Sequence, residues 1–482
     1  MTEAAGLPQI IQGGMGVAIS NWQLARAVST RGQLGVVSGT VLDTVFVRRL
    51  QDGDAGGHLR RAMKHFPIPG VADAALHKYF RSAGRARGER YKLLQMYKLP
   101  VSIARQQLTM LANFVEVYLA KEGHAGQVGI NLLTKVQLPN LASLYGAMLA
   151  KVDYVLMGAG IPREIPGMLD ALAEHRPATM KLEVEGLPAG EALSMTLDPG
   201  ELGVDRAVPV NRPAFLPIIS ANSLATTLAR KANGSVEGFV VEGPTAGGHN
   251  APPRGEPRFN ERGEPLYGER DKVDMAKMRE LGLPFWLAGG AGSPAHLVDA
   301  LKVGAAGVQV GTLFAFCEES GLEPGLKQEI LEHAARGEVE VMTDPRASPT
   351  GYPFKVARWN GETGKAERQR LCDLGYLRVA YKRDDGRIGF RCAAEPVQDY
   401  VRKGGAIEDT VGRQCLCNAL TANVGQPQLR VSGEEEPPLV TSGDDLTTIA
   451  GFLKGRSSYS AGDVIDYLLS WISAPRHLAP VG

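Results

Sequence analysis

The chain has 482 residues, of which 44% are hydrophobic and 22% are charged. This composition supplies ample apolar material for a core and excludes wholesale disorder. Lys and Arg number 53 against 52 Asp and Glu, and the net charge of +1 argues against a nucleic-acid binder, which needs a basic surface. Because no apolar run approaches roughly 18 residues, we expect no membrane-spanning segment.

The first residues and the cysteine content are used to predict the cellular compartment. Residues 1–5 lack the basic segment, followed by an apolar one, of a secretory signal, so we predict a cytoplasmic protein. The five cysteines are too few for a disulfide scaffold in a chain of this length. Cys415 and Cys417 lack the paired C-x₂-C spacing of a zinc site, and we predict no metal.

Eight short apolar runs, each bounded by Gly, Pro or Asn, are predicted to be β-strands. Near-continuous apolar runs are typical of parallel strands that are buried on both faces. In chain order, the predicted strands are 10–12, 34–38, 128–132, 154–157, 215–219, 238–241, 285–288 and 307–310.

Helical segments with recognisable ends lie between these strands. Residues 21–31 place Leu24 and Val28 on one face and stop at Gly32, and Ser293 precedes Pro294 at the start of another helix. This alternation of strand and helix is the pattern of a parallel α/β fold.

Eight strands favour a closed barrel over an open dinucleotide-binding sheet. Residues 32–40 and 304–312 share one glycine spacing and both end in Gly-Thr, which suggests repetition around a closed sheet. No strand-linked G-x-G-x-x-G motif with a following acidic residue supports the open sheet. We therefore predict a (β/α)₈ TIM-like barrel over residues 1–340.

Three segments depart from the strand–helix alternation. Residues from about 52 to 127 are helix-rich and basic, and residues from about 178 to 212 are rich in Gly and Pro; we predict both as insertions into barrel loops. Residues 341–482 contain a sequence pattern typical of β-strands near 377–390 and one typical of an amphipathic helix near 461–471. We predict them to be a C-terminal α+β subdomain packed on the barrel.

The segment 240–250 is the strongest candidate for chemistry. A buried strand ends at Val241, and active sites of barrels lie at the carboxyl ends of strands. Gly247 and Gly248 leave room for a flat ligand, and His249 could then act as general base or hydrogen-bond donor. The alternative is a loop histidine without chemistry.

Glycines after the last two predicted strands are candidates for binding a phosphate. Residues 288–293 join a strand to a capped helix, and residues 310–312 end the final strand. Backbone N–H groups in these two loops of a barrel commonly hold phosphate, aided by a helix N-terminus. Tight turns that merely require glycine are the alternative.

Residues near the first and third strands could line a planar ring. Gly13 and Gly14 allow a close approach of the backbone, and Met15 adds a polarisable surface. Asn131 places an amide in an apolar strand and needs a hydrogen-bond partner. An ordinary turn and a core hydrogen bond remain the respective alternatives.

Together these motifs resemble the nitronate monooxygenase (2-nitropropane dioxygenase) family and its relatives, the FMN-dependent enoyl-ACP reductases. The matching segments occur in the family order over roughly residues 8 to 320, and they are 12–15, 129–131, 242–243, 246–249, 288–290 and 309–312.

The resemblance implies a barrel that holds non-covalent FMN at its mouth, with His249 acting beside the flavin. It assigns the phosphate to Gly289, Gly290, Gly311 and Thr312. It assigns the ribityl chain and ring to Gly13, Gly14, Met15 and Asn131, and Gly248 and Gln309 are cofactor-binding residues of the same motifs.

Three functions follow from the resemblance. The first is oxidation of alkyl nitronates or nitroalkanes with O₂. The second is an NAD(P)H-dependent enoyl-thioester (enoyl-ACP) reductase, for which Arg60, Arg61, Lys64, Arg254 and Arg258 could meet substrate phosphates, with solvated surface charge as the alternative. The third is a flavin-binding subunit of a lipid or polyketide synthase. A small-molecule substrate is expected in the first two. The extra segments could reshape the substrate mouth or build a homo-oligomer interface.

Overall fold

The strands of the computed structural model, which describes residues 6–86, 88–359 and 368–473, are numbered along the chain. They are β1 (Ile10–Gln12), β2 (Leu34–Ser38), β3 (Val128–Leu133), β4 (Tyr154–Gly158), β5 (Ala178–Leu182), β6 (Val184–Glu185), β7 (Leu193–Leu197), β8 (Ala214–Ile219), β9 (Phe239–Glu242), β10 (Phe285–Ala288), β11 (Gly307–Val310), β12 (Val339–Asp344), β13 (Phe354–Trp359), β14 (Val379–Lys382) and β15 (Ile388–Arg391).

Eight of these strands close into a parallel barrel in the order β1-β11-β10-β9-β8-β4-β3-β2. They are the eight strands predicted from the sequence, with bounds that agree to within one or two residues. The chain is therefore an α/β protein with a (β/α)₈ TIM-like barrel, and this part of the prediction is confirmed.

Helices surround the barrel and follow most of its strands. Those among the described residues are α1 (Trp22–Ser29), α2 (Leu42–Gln51), α3 (His58–Met63), α4 (Val71–Tyr79), α5 (Ile103–Lys121), α6 (Gln137–Leu149), α7 (Ile165–Ala173), α8 (Asn222–Lys231), α9 (Met275–Glu280), α10 (Pro294–Lys302), α11 (Thr312–Ala315), α12 (Pro324–Ala335), α13 (Val397–Arg402), α14 (Leu416–Ala422), α15 (Ala450–Leu453) and α16 (Ala461–Ser473). Asn21 and Ser293 accept hydrogen bonds from the first turns of α1 and α10, as their positions predict. None of these helices combines the length and the apolar character needed to cross a bilayer.

Large apolar side chains fill the barrel interior. Ile11, Val36, Leu216 and Val240 form one buried cluster with Trp286, whose indole Nε1 donates to the Pro8 carbonyl at 2.7 Å. A filled interior leaves space for a ligand only beyond the carboxyl ends of the strands.

The two predicted insertions contribute differently to the fold. The first contains α3, α4 and α5, and α5 packs against α6 and α1 in the outer helix layer. The second forms the antiparallel pair β5–β7, while β6 joins β14 and β15 in a separate sheet. The second insertion and the C-terminal region thus share a sheet, and the domain boundaries stay a prediction.

The C-terminal region is tied to the barrel at several points. The buried guanidinium of Arg48, on α2, donates to the Gln426 carbonyl at 2.6 Å and to Gln428 Oε1 at 2.8 Å. Helix α16 packs on α10 and α1. The described residues do not include 1–5, 87, 360–367 and 474–482. The N-terminus used for the compartment prediction and parts of the predicted insertion and subdomain therefore lie outside them.

Candidate active site

A cavity of about 240 Å³ lies at the carboxyl ends of the barrel strands. The predicted site residues, which come from five separate segments, all line it: Gly13, Gly14, Met15, Asn131, Gly248, His249, Gly289, Gly290, Gln309, Gly311 and Thr312. The fold therefore brings the predicted residues together, while their individual roles stay predictions.

Backbone N–H groups after β10 and β11 form one end of this cavity. Gly289 and Gly290 have φ angles of +92° and +63°, a region that favours glycine. The N–H groups of these two glycines, of Gly311 and of Thr312 have no acceptor among the described residues. Helix α10 begins close by, and its N-terminus adds a partial positive charge. This end of the cavity suits an anionic group such as a phosphate.

Two side-chain amides line the cavity, that of Asn131 on β3 and that of Gln309 on β11. The Asn131 carboxamide makes no hydrogen bond within the described part of the chain, and Gln309 Oε1 is buried without a partner there. A Cβ atom at Gly14 would overlap Asn131 Cβ, so only glycine fits beside that amide. Buried polar groups usually have a partner, and a bound ligand would supply one.

His249 also lines the cavity. Its Nε2 atom lies 2.7 Å from Ser348 Oγ, and its ring makes an edge contact with Phe354 at a centroid distance of 4.8 Å. Burial, together with the positive charge of Lys135, lowers the pKa of His249 to about 4. The imidazole is therefore neutral near pH 7 and a weak base.

Glu242, which was not among the predicted site residues, lies at the end of β9 on the same cavity wall. Burial raises the pKa of its carboxyl group to about 8, and the group has no hydrogen bond or ion pair among the described residues. It is therefore mainly protonated near pH 7. An acidic residue that ends a buried apolar strand, seven positions before His249, is the sequence signal that could have identified it.

The C-terminal region builds a further wall of the cavity, which the sequence did not reveal. Gly443 N donates to Thr312 Oγ1 at 3.1 Å, and Gly248 N donates to Thr441 Oγ1 at 2.8 Å. Gly292 N donates to Asp445 Oδ2 at 3.2 Å, beside the predicted phosphate loop. The C-terminal region is thus part of the site rather than an appendage.

A second cavity of about 210 Å³ adjoins the first. The two cavities share only Ala159, Ile218, Glu242 and His249 among their lining residues. Apolar residues such as Ile219 and Leu224 line much of the second cavity. Its polar lining residues include Arg254, Tyr267 and Asp271. Glu242 and His249 therefore stand at the junction of two chambers.

Several basic residues considered for substrate phosphates have protein partners. Arg60 forms an ion pair with Asp54 at 3.0 Å, and Arg61 pairs with Glu122 at 2.7 Å. Arg254 donates to the carbonyl groups of Ser220 and Arg270. These arginines therefore serve local structure.

The five cysteines are unpaired thiols. In the part of the chain that the structure describes, no group of three or more His, Cys, Asp or Glu side chains could hold a metal ion.

The residues present fit FMN. A loop with unpaired N–H groups next to a helix N-terminus suits the phosphate. The unpartnered amides of Asn131 and Gln309 suit the polar edge of a flavin ring, and Gly14 lets its backbone lie directly against Asn131. Among the described residues that line the cavity, Asp445 is an acidic side chain next to the predicted phosphate loop; burial raises the pKa of its carboxyl group, which favours the uncharged form beside a phosphate.

Residues 200–349 match the nitronate monooxygenase family model. The predicted resemblance is confirmed over this part of the chain, which contains Glu242, His249 and the predicted phosphate loops. Gly13, Gly14, Met15 and Asn131 lie outside the matched residues.

A curated relative carries the same family name. It is the nitronate monooxygenase of Paraburkholderia phytofirmans (strain DSM 17436 / LMG 22146 / PsJN), which is 27% identical over 171 residues. The alignment covers 36% of this chain and 41% of that protein, so less than half of either length is compared.

Similar solved structures cover nearly the whole chain at low identity. FabK from Thermotoga maritima is 16% identical with a TM-score of 0.46, over 96% of this chain and 92% of its own. Nitroalkane oxidase from Streptomyces ansochromogenes is 13% identical with a TM-score of 0.43, over 96% and 95%. The enoyl reductase domain of MlnA from Bacillus amyloliquefaciens is 9% identical with a TM-score of 0.43, over 98% and 97%. With such TM-scores, these likenesses carry no weight for the activity.

Proposed function

We infer that this chain is an FMN-dependent oxidoreductase of the nitronate monooxygenase type, which oxidises alkyl nitronates with O₂. One observation carries the proposal: a single barrel-mouth cavity unites unpaired N–H groups, unpartnered amides and a neutral histidine. The family match to residues 200–349 supports it, because the match contains His249 and both predicted phosphate loops.

The residues that would hold FMN come from both ends of the cavity. Gly289, Gly290, Gly311 and Thr312 would bind the phosphate through backbone N–H groups. Gly13, Gly14, Met15, Asn131 and Gln309 would contact the ribityl chain and ring, with Gly248 at the edge nearest His249. When bound, FMN would accept electrons from the substrate and pass them to O₂.

The protonation state of His249 indicates whether the substrate is a nitronate or a neutral nitroalkane. A base whose pKa is about 4 removes protons slowly from a weakly acidic C–H group. A nitronate has already lost that proton, and a neutral imidazole can orient the anion by hydrogen bonding. Ser348 holds the ring in place through the 2.7 Å contact with Nε2. We therefore expect nitronates to react much faster than neutral nitroalkanes.

Glu242 favours a second candidate function, the NAD(P)H-dependent reduction of an enoyl thioester. Reduction of that double bond adds a hydride equivalent at the β-carbon and a proton at the α-carbon. A protonated carboxyl group beside the cavity, with a pKa of about 8, is suited to deliver such a proton. The same site thus supports either an oxidase-type or a reductase-type reaction.

Anaerobic absorbance measurements on the FMN-loaded full chain separate the two functions. Ethylnitronate, nitroethane, NADH and NADPH are mixed with the protein one at a time, and flavin absorbance is followed. Bleaching by ethylnitronate, with little or no effect of either nicotinamide, supports the nitronate monooxygenase. Rapid bleaching by NADH or NADPH alone, followed by reoxidation with a crotonyl thioester, supports the reductase. Absence of bleaching by any of the four contradicts both.

A further inference from the structure

Glu242 is placed where a substrate in either cavity would meet it. It is the last residue of β9, pairs with Ala288 of β10 in the barrel, and lines both cavities. His249 lies on the same stretch of wall and also lines both cavities. The carboxyl group therefore faces the space between the two chambers.

No protein group among the described residues pairs with this carboxyl. The charged and titratable groups around it are His249, Tyr267, Arg254 and Asp271. The Arg254 guanidinium donates to two backbone carbonyl groups, and the Arg254 backbone N–H donates to Asp271 Oδ1 at 2.8 Å. Tyr267 donates to the Ala251 carbonyl at 3.0 Å. A polar side chain that faces cavity space without a protein partner points to a bound ligand as its partner.

We propose that Glu242 is a second catalytic side chain, whose carboxylic acid donates a hydrogen bond to a nitronate oxygen of the substrate. This inference rests on the proposed function, because the substrate anion must lie in the cofactor cavity. A neutral acid and a negatively charged oxygen form a strong, charge-assisted hydrogen bond. The second cavity, with apolar residues such as Ile218 and Leu224, would take the alkyl chain of the same substrate.

The protonation state of Glu242 agrees with this role. Burial alone raises the pKa of the carboxyl to about 8, so near pH 7 it donates a hydrogen bond and carries no charge that would repel an anion. Above that pKa, the carboxylate would lose the donor and repel the substrate. Binding of an anionic substrate should therefore weaken as the pH rises through about 8.

The test uses butyrate, a redox-inert carboxylate with the two-oxygen shape of a nitronate. Its dissociation constant is measured by calorimetry on the FMN-loaded full chain from pH 6 to pH 10. For the wild type, we expect a constant value at low pH and a rise of about tenfold per pH unit above pH 8. Glu242→Gln keeps a hydrogen-bond donor and should bind within a few-fold of the wild type at pH 7, without the rise. Glu242→Ala should bind at least about tenfold more weakly at pH 7.

Glu280→Gln, an exposed change at the end of α9, is the matched control and should follow the wild type. The inference is overturned if Glu242→Gln shows the same rise with pH as the wild type, if Glu242→Ala binds butyrate normally, or if the wild type does not bind butyrate at all. A wild-type chain that fails to retain FMN or to oxidise ethylnitronate instead contradicts the proposed function. If the wild type retains FMN and oxidises ethylnitronate, but the Glu242 variants bind butyrate as the wild type does, only the role of Glu242 is contradicted.

Discussion

His249 Nε2 lies 2.7 Å from Ser348 Oγ, which joins the predicted catalytic side chain to the segment between β12 and β13. Ser348 is fully buried, and its hydroxyl also lies 2.8 Å from Thr350 Oγ1. Next to them, His249 and Phe354 form an isolated antiparallel bridge. The region after the barrel therefore fixes the imidazole at the cavity wall.

Replacement of His249 by alanine should separate catalysis from cofactor binding. We expect His249→Ala to retain FMN and to lose about 10² to 10³ of nitronate turnover, the usual contribution of one preorganised hydrogen-bond donor to a negatively charged oxygen. Steady-state oxygen uptake measures the loss, and absorbance measures retained flavin. His77→Ala, on the exposed face of α4, is the control. Unchanged turnover in His249→Ala would refute the assigned role.

Ser348→Ala should have a smaller effect of the same kind. It removes the hydroxyl at Nε2, and a lost hydrogen bond of about 1 kcal/mol corresponds to roughly fivefold in rate if it acts only through positioning. Measured kcat should fall by that order while FMN affinity stays at the wild-type value. A loss as large as that of His249→Ala would mean that Ser348 does more than hold the ring.

Substitution of Gly14 should affect the cofactor directly. The added methyl group of Gly14→Ala would overlap Asn131 Cβ, so Asn131 must shift from the position proposed to contact the flavin. We expect at least about a tenfold increase in the FMN dissociation constant, in line with the 1–3 kcal/mol typical of overpacking, measured by quenching of flavin fluorescence. Gly451→Ala, where no heavy atom lies within 4 Å of the new methyl group, should bind FMN normally. Equal affinities for the two variants would contradict the placement of the ring.

Asp445 offers a test of the phosphate end. Its carboxyl accepts a hydrogen bond from Gly292 N at 3.2 Å, and burial raises its pKa. Asp445→Asn keeps an acceptor and removes the negative charge, so FMN should bind about three- to tenfold more tightly at low salt. Riboflavin, which lacks the phosphate, should show no change. An equal gain for riboflavin, or weaker binding of FMN, would place the phosphate elsewhere.

The pKa of Glu242 also predicts a change in stability with pH. A folded-state value of about 8, above the ordinary value of 4.5, means that folding favours the protonated acid. That stability is fully present below pH 4.5 and is lost as the pH rises to about 8, by up to roughly 4 kcal/mol. Glu242→Gln does not titrate, so its advantage over the wild type in urea unfolding of the flavin-free chain should grow from pH 5 to pH 8 and then level off. A constant difference over this range would mean that the carboxyl is not buried as described.

Much of the barrel could be predicted from the sequence because its signals are local. An apolar run that ends in glycine defines a buried strand such as β10, and His249 follows β9 closely enough to be placed at the mouth. Contacts between distant segments carry no such signal. Ser348 and Asp445 lie about 100 and 150 residues from His249 and Gly292 in the sequence, and only the fold brings each pair together. The acidic residue at the end of β9, Glu242, carries a local signal, but the sequence does not show that its carboxyl group has no protein partner.

A crystal structure of the full chain with FMN is the measurement that tests the central claim most directly. We predict flavin density in the barrel-mouth cavity, with the phosphate at Gly289, Gly290 and Gly311 and the ring beside Asn131, in contact with the His249 imidazole. Density for FMN outside this cavity, or a ring beyond the reach of His249, would contradict the account.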